Sequence, residues 1–166
     1  MADIANTKIG ACDVTFATVD LGHTLGGVTF SYEPNLAEIK VDAYGDTPVD
    51  YMVNGELVTV KVNLAEMSVA ALKAAIPNHT LEGSIVHFGA GAGTRLSAKA
   101  GVLVLHPRGS VGTGEDITLH KAVVFETVEI PYNNEDQRVF EVTFVALPDE
   151  SKDAGKRLGA FGDLTP

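Results

Sequence analysis

The sequence has no tryptophan, a single cysteine and few basic residues. One thiol, Cys12, cannot form a disulfide within the chain, and metal sites built on thiolates usually need at least two cysteines. We expect Cys12 to be a small buried or harmless side chain, the alternative being a bridge to a neighbouring chain. A membrane helix needs about 18 consecutive apolar residues, and the sequence has no such run. The sequence therefore predicts a soluble protein.

Positive charge is scarce. Twelve Lys and Arg stand against 22 Asp and Glu, for a net charge of −10, and the basic residues form no run. Because binding of the phosphate backbone needs clustered Lys and Arg, we expect nucleic acid to be repelled. The first 16 residues lack a basic region followed by an apolar one, so we read no secretory signal and expect folding in a cytoplasm.

Motifs for catalysis are missing as well. The glycine-rich "FGAGAGTRL" meets neither the dinucleotide fingerprint nor the P-loop, and "RGSVG" has Arg108 where a nucleophile elbow needs glycine. His87, His106 and His120 lie in predicted strands and could meet across neighbouring strands. Strand-surface histidine is the favoured interpretation, because no partner with metal-ligand spacing accompanies them. We expect no enzyme, no metal and no cofactor.

Alternation with period two dominates the chain. "ELVTVKVNL" places Val58, Val60, Val62 and Leu64 on one face, opposite polar side chains. Seven or eight such β-branched segments predict strands, among them "GVTFSYE", "LAEIKVDAY", "GSIVHFG", "KAGVLVLHP", "DITLHKAVVFETVEI" and "RVFEVTFVAL".

One segment has helical spacing. "SVAALKAAIP" predicts a short helix with a stripe of Val69, Leu72, Ala75 and Ile76, with Ser68 as its N-cap and Pro77 just beyond its end. So short a helix is stable mainly when packed on a sheet. The predicted class is mainly β (β-rich α+β), an antiparallel sandwich or barrel-like sheet with one short flanking helix.

The domain organisation expected is a single β domain over 1–147 that begins with a polar N-terminal arm, 1–13. A charged, glycine-rich C-terminal arm follows over 148–166, with only Leu158, Phe161 and Leu164 to anchor it. We expect both arms to become ordered against a partner.

The stretch "DAYGDTPVDYMVNGE", residues 42–56, is unusual for a loop. Its Asn54-Gly55 pair predicts a tight hairpin turn, which leaves a long loop over 43–55. The apolar side chains in that loop need burial on a flanking helix, a ligand or another copy of the chain. Their burial is worth several kcal/mol at about 25 cal/mol per Å², and self-association is the simplest way to obtain it.

The same region carries a resemblance through a series of motifs: "DLG" at 20–22, Gly26-Gly27, "SYEP" at 31–34, "VDAYGDTPVD" at 41–50 and "VTVKVNLAE" at 58–66. With them, residues 19–77 resemble the N-terminal half of the major tail tube proteins of tailed bacteriophages. The second half is similar only as a strand pattern, "FETVEIPYNNEDQRVFEVTFVALPD".

The resemblance implies a tail-tube-like fold and a homohexameric ring, whose subunits join their strands into a β-barrel around a channel and whose rings stack into a tube. It implies that the loop after the second strand of this block reaches the adjacent ring, and that the helix, 68–76, packs on the outer face. The contact residues would be Tyr44, Thr47, Pro48, Val49, Asp50, Tyr51 and Met52.

Location and partners follow from the same resemblance. The protein would be part of the virion, in the phage tail, assembled in the bacterial host cytoplasm. Besides itself, it would meet tape measure protein, the tail terminator and baseplate or tip proteins; whether a sheath surrounds the tube is left open. DNA would pass through the channel without specific binding, and no membrane is involved.

Acidic side chains facing that channel would repel the DNA backbone. Six copies at −10 carry a formal −60 per ring, and repulsion acts within a Debye length of roughly 8–10 Å. For any one acid, an outward position that serves only solubility is equally open. The candidates are Glu38, Asp42, Glu126, Glu129 and Glu141.

Two other interpretations stay open. One is a related ring-forming component, such as a tail terminator or the tube of a contractile device. The other, from a different class, is a monomeric β-barrel that binds a small ligand in a cavity lined by Tyr51, Met52 and Phe88.

Overall fold

A computed structural model describes residues 10–89, 91–132 and 137–164. Within these ranges the chain forms ten strands, one α-helix and two short 3-10 turns, at Asp42–Tyr44 and Leu96–Lys99. The strands and the helix are β1 Cys12–Phe16, β2 Val19–Asp20, β3 Thr24–Lys40, β4 Pro48–Leu64, α1 Val69–Ala75, β5 His79–Glu82, β6 Ile85–Phe88, β7 Gly101–Pro107, β8 Ile117–Val124, β9 Phe140–Ala146 and β10 Gly159–Phe161.

Eight of the strands form one antiparallel sheet. Its order is β2-β1-β7-β8-β9-β4-β3, and β10 also pairs with β8. Strand β1 approaches β3, so the sheet curls around the core. Strands β5 and β6 form a separate hairpin. The mainly β class and the antiparallel sheet predicted from the alternation are confirmed.

The core lies on the concave side of this sheet. The predicted inward residues of β4 are buried, with Val60, Val62 and Leu64 fully inaccessible. They pack with the large side chains of β9, and Phe144 meets Phe16 of β1 with ring centroids 5.0 Å apart. The period-two pattern therefore identified the correct face of β4.

Helix α1 begins and ends where its sequence predicts. The Ser68 hydroxyl accepts a hydrogen bond from the amide of Ala71 at 3.1 Å, and Pro77 follows two residues after the last helical residue. The buried stripe, however, consists of Ala71, Ala74 and Ala75. Val69, expected in that stripe, is exposed. Of the other residues predicted for the stripe, Ala75 is buried, and Leu72 and Ile76 are half-buried.

The bounds expected for the N-terminal arm, 1–13, overlap the sheet. Cys12 and Asp13 belong to β1, paired with Pro107 and His106. Residues 1–9 lie outside the described part of the chain.

The C-terminal segment returns to the body. Strand β10 pairs with β8, the amide of Gly162 donates to the Asp116 carbonyl at 2.8 Å, and Leu158 packs against the core. Leu158 supplies the predicted anchor, whereas Phe161 and Leu164 stay exposed. The described residues 148–164 thus do not form a free arm.

The strands also differ from the prediction in number and bounds. The long run at 116–130 ends as a strand at Val124; Val128 and Ile130 still pack on the core without strand pairing. Strands β1, β2, β5 and β10 were not predicted, and the two predicted strands "GVTFSYE" and "LAEIKVDAY" belong to one continuous strand, β3.

Candidate assembly surface

The most prominent feature of the molecule is the hairpin of β3 and β4, each 17 residues long. Its turn lies between Lys40 and Pro48, through the 3-10 turn Asp42–Tyr44 and Gly45, which has φ 61°. The Asn54-Gly55 turn and the loop over 43–55 were therefore predicted wrongly. Residues 48–55 are strand, because they pair with 35–40 of β3.

Asn54 has a different role. Asn35 pairs with Gly55 and Leu36 pairs with Val53, so Asn54 is an extra residue in β4, a β-bulge. The bulge changes which residues share a face of the strand. Tyr51 and Val53, which precede the bulge in the chain, lie on the same face as Val58, which follows it. A sequence signal for this existed, since Val49, Tyr51 and Val53 alternate out of phase with Val58, Val60 and Val62.

The outer part of the hairpin extends beyond the rest of the sheet. Strand β9 pairs with β4 only over Thr59–Leu64. The remaining 11 residues of the strand, 48–58, span about 36 Å at 3.3 Å per residue. This outer part, residues 33–56, is called the projecting hairpin below.

Apolar side chains cover the projecting hairpin and remain in water. Tyr44 is 66% exposed, Tyr51 53% and Met52 57%. Of the predicted contact residues, Tyr44 and Thr47 lie in the turn, whereas Pro48, Val49, Asp50, Tyr51 and Met52 lie at the start of β4. The structure thus brings the predicted set together at one end of the molecule. Further exposed apolar residues of this hairpin and its base lie outside the predicted contact set: Phe30, Tyr32, Leu36, Val41, Val53 and Leu57.

Open strand edges accompany this apolar surface. Strand β3 is the last strand of the sheet. Among the described residues, the part of β4 from 48 to 58 has β3 as its only neighbouring strand. Unpaired amide and carbonyl groups along such an edge are ready to pair with another strand.

The start of β3 is fixed by the "DLG" motif. Leu21 is fully buried, and the Asp20 carboxylate accepts a hydrogen bond from the amide of Gly22 at 2.9 Å. Gly22 has φ 82°, and a side chain there would collide with Glu66. The motif therefore sets the direction in which the hairpin leaves the body.

A groove of about 720 Å³ lies between β4 and the C-terminal segment. It is lined by core residues, including Val58, Leu119 and Ala146. Phe30 and Tyr32 of β3, Arg157 and residues 158–161 complete the lining. Tyr51, Met52 and Phe88, predicted to line a ligand cavity, line neither this groove nor the smaller cavity of about 170 Å³ beside α1.

The candidate lumen acids do not form one cluster. Glu38 and Asp42 lie on the projecting hairpin, where Glu38 pairs with Lys40 at 2.9 Å. Glu141 on β9 pairs with Lys61 at 3.0 Å, and this hydrogen-bonded carboxylate raises the pKa of Lys61. Glu126 lies close enough to add to that shift, whereas Glu129 lies in irregular chain after β8.

A polar network covers the far side of β1 and β7. His106 Nδ1 lies 2.6 Å from the Asp116 carboxylate, and Arg108 pairs with Asp13. Burial, together with the charges of Asp13 and Asp116, raises the pKa of the Cys12 thiol to about 11. A thiol so far from ionising is a poor nucleophile, so this network holds strands together and offers no reactive cysteine.

The described residues contain neither a cluster of metal ligands nor a membrane-spanning helix. Residues 10–89, 91–132 and 137–164 contain no group of three or more His, Cys, Asp or Glu that could hold a metal ion. In the same ranges, the structure contains no helix of the length and apolar character needed to cross a membrane.

No protein-family model matches the chain, and no curated protein matches it.

Proposed function

We propose that this chain is a structural, self-assembling subunit, and that its assembly is the tail tube of a bacteriophage. The observation that carries the proposal is the projecting hairpin, which places apolar side chains in water far from the body of the subunit. At about 25 cal/mol per Å², covering them is worth several kcal/mol per copy, which a lone subunit does not gain. The resemblance of residues 19–77 to tail tube proteins supports the specific identity.

Two kinds of contact would build the tube. The open edges of the sheet would pair with neighbouring subunits in a hexameric ring, as backbone hydrogen bonding between edge strands allows. The projecting hairpin would reach the next ring, and its repetition from ring to ring would extend the tube.

The charge of the chain suits a conduit for DNA. With −10 per copy, acidic groups around a channel would repel the phosphate backbone. DNA could then pass to the host without adhering. Which of the five candidate acids line the channel depends on the orientation of the subunit in the ring.

Negative-stain electron microscopy of the purified protein tests this function. We expect rings or hollow tubes, and a sedimentation coefficient that increases with protein concentration. A single 17.4 kDa species at all concentrations, with and without tail assembly partners, would contradict the proposal.

A variant without the hairpin tip tests the role of the hairpin. Glu38 pairs with Tyr51, so residues 39–50 can be replaced by Asn-Gly, the preferred two-residue hairpin turn. No residue removed belongs to the buried core, so thermal unfolding should change little, whereas stacking of rings should be lost. Tubes formed by this tip-less variant would show that the hairpin is not the contact between rings.

A second candidate function follows from the groove. A volume of about 720 Å³ falls within the range of small-molecule sites. A monomeric protein that binds an apolar ligand there would sediment as one species and show slower amide exchange on ligand addition. The open strand edges around the groove favour self-assembly over this alternative.

A further inference from the structure

We infer that the groove beside β4 is the receptor for the projecting hairpin of a second copy, so that the tip of one subunit docks into the groove of the next. The inference rests on the proposed function, because it names the surface that receives the hairpin. Three features of the groove and the tip support it: charge, apolar surface and strand edges that have no neighbouring strand.

The tip is acidic, and the groove offers it one guanidinium, Arg157, together with one carboxylate, Glu56, which already accepts a hydrogen bond from the Tyr32 hydroxyl at 2.9 Å. The turn and its flanks carry Asp42, Asp46 and Asp50, and within the described residues none of these carboxylates forms an ion pair. Arg157 lines the groove, and its Nε donates to the Lys152 carbonyl at 3.3 Å. No described carboxylate pairs with Arg157. A guanidinium has five N–H donors, so it retains donors for an incoming carboxylate.

The apolar surfaces also match. The lining of the groove presents Phe30, Ile117 and Phe161, of which Phe161 is 73% exposed. The tip presents Tyr44 and Val49, which are 66% and 45% exposed. Docking would remove both surfaces from water in one contact.

Backbone groups add direction to the contact. The groove lies between residues 53–58 of β4 and strand β10, and each of these has one side without a strand neighbour in the described chain. An extended segment entering the groove can therefore pair with a strand edge while its side chains reach the apolar lining.

The occupant must come from another copy. Residues 53–56 of the hairpin form part of the groove, and the pairing of Glu33–Lys40 with β4, which is interrupted by register shifts after Asn35 and Ile39, carries the tip away from these residues. A hairpin so paired cannot bend back on itself without losing backbone hydrogen bonds. Donor and receptor thus occupy different places on each subunit, which gives a head-to-tail contact that can repeat without limit.

A complementation experiment tests this inference. The tip-less variant keeps the groove, since its substitution ends before Val53. A groove variant, Arg157→Glu with Phe161→Asp, keeps the tip, and both side chains are exposed, so the fold should tolerate the change. The matched control is Lys152→Glu with Val111→Asp, which makes the same charge change at exposed residues outside the groove.

Analytical ultracentrifugation then gives the result. Each variant alone should show no stacking, with at least a tenfold loss in association constant, whereas the control should stack like the unaltered protein. In a mixture of the two variants, the tips of the groove variant should dock into the grooves of the tip-less variant. The product should contain one assembly of each variant, and it should not grow further, because it has no free tip and functional groove left to join.

Three outcomes would overturn the inference. The first is a control as impaired as the groove variant, and the second is a groove variant that still stacks. The third is a mixture that does not pair although the unaltered protein stacks; this result would leave the tube function standing. If the unaltered protein never associates, the proposed function and this inference fail together.

Discussion

At the scale of single residues, the turn between β1 and β2 contains an unfavourable conformation. Phe16 pairs with Val19, so Ala17 and Thr18 form a two-residue turn, and both have positive φ, 48° and 70°. This turn type favours Asn-Gly, and a β-branched residue is strained in the left-handed region.

Replacing Thr18 by glycine should therefore stabilise the protein. The relief of a left-handed conformation, about 1–2 kcal/mol, exceeds the entropy cost of glycine, about 0.5–1 kcal/mol. We expect a gain of about 1 kcal/mol in the free energy of unfolding, measured with urea. Thr15→Gly in the extended strand β1 is the control and should destabilise. A loss at both positions would contradict the argument.

Cys12 should make stability depend on pH above 9. Its thiol has an ordinary value of 9.0 when unfolded and a pKa of about 11 when folded, chiefly because burial disfavours the thiolate. Between those values the unfolded chain has lost the proton that the folded chain keeps. Stability therefore falls as the pH rises from about 9 towards 11.

Urea unfolding of the unaltered protein and of Cys12→Ala, compared at pH 8 and pH 10.5, measures this contribution. Tyr32 and Lys61 also have a raised pKa in the folded state, but they are present in both proteins and cancel in the difference. We expect the stability advantage of the unaltered protein to shrink at the higher pH. An advantage independent of pH would contradict the assignment.

At the scale of elements, β10 depends on a single glycine. A methyl group on Gly159 would collide with the Thr118 carbonyl oxygen and lie 3.0 Å from the Leu119 side chain. Backbone atoms cannot move aside as a flexible side chain can. The close approach of β10 to β8 thus requires glycine at this position.

Gly159→Ala should detach β10 from the sheet. We expect faster amide exchange at residues 160–162 and a loss of about 1–3 kcal/mol, typical of overpacking. Gly114→Ala is the control, since a methyl group there meets no atom within 4 Å and needs no unusual φ. Unchanged exchange in Gly159→Ala would show that the segment shifts without cost.

The elements differ in how far their sequence determines them. Helix α1 could be predicted because its cap, Ser68, and its stop, Pro77, are local signals, and the inward face of β4 followed from alternation. The position of the hairpin turn could not be read in the same way. Asn54-Gly55 is a strong local turn signal, yet the pairing of five further residues, 48 and 50–53, with β3 outweighs it and places Asn54 in a bulge.

At the scale of the whole molecule, long-range pairing limits what sequence can predict. The contact residues expected on the hairpin were implied by the resemblance to tail tube proteins, with support from the apolar side chains among them, and they do cluster at one end. The groove was not predicted, because it depends on β10, three residues that pair with a strand about 40 positions earlier in the chain. Nothing in so short a segment marks its partner.

The free edge of β3 has one more consequence. Pro34 lacks an amide hydrogen, and Gly26-Gly27 interrupt the pairing of β3 with β4 near its start. Both features interrupt the regular backbone pattern of this 17-residue strand. Growth into amyloid-like fibres needs a long uninterrupted template, so these interruptions disfavour such growth from β3.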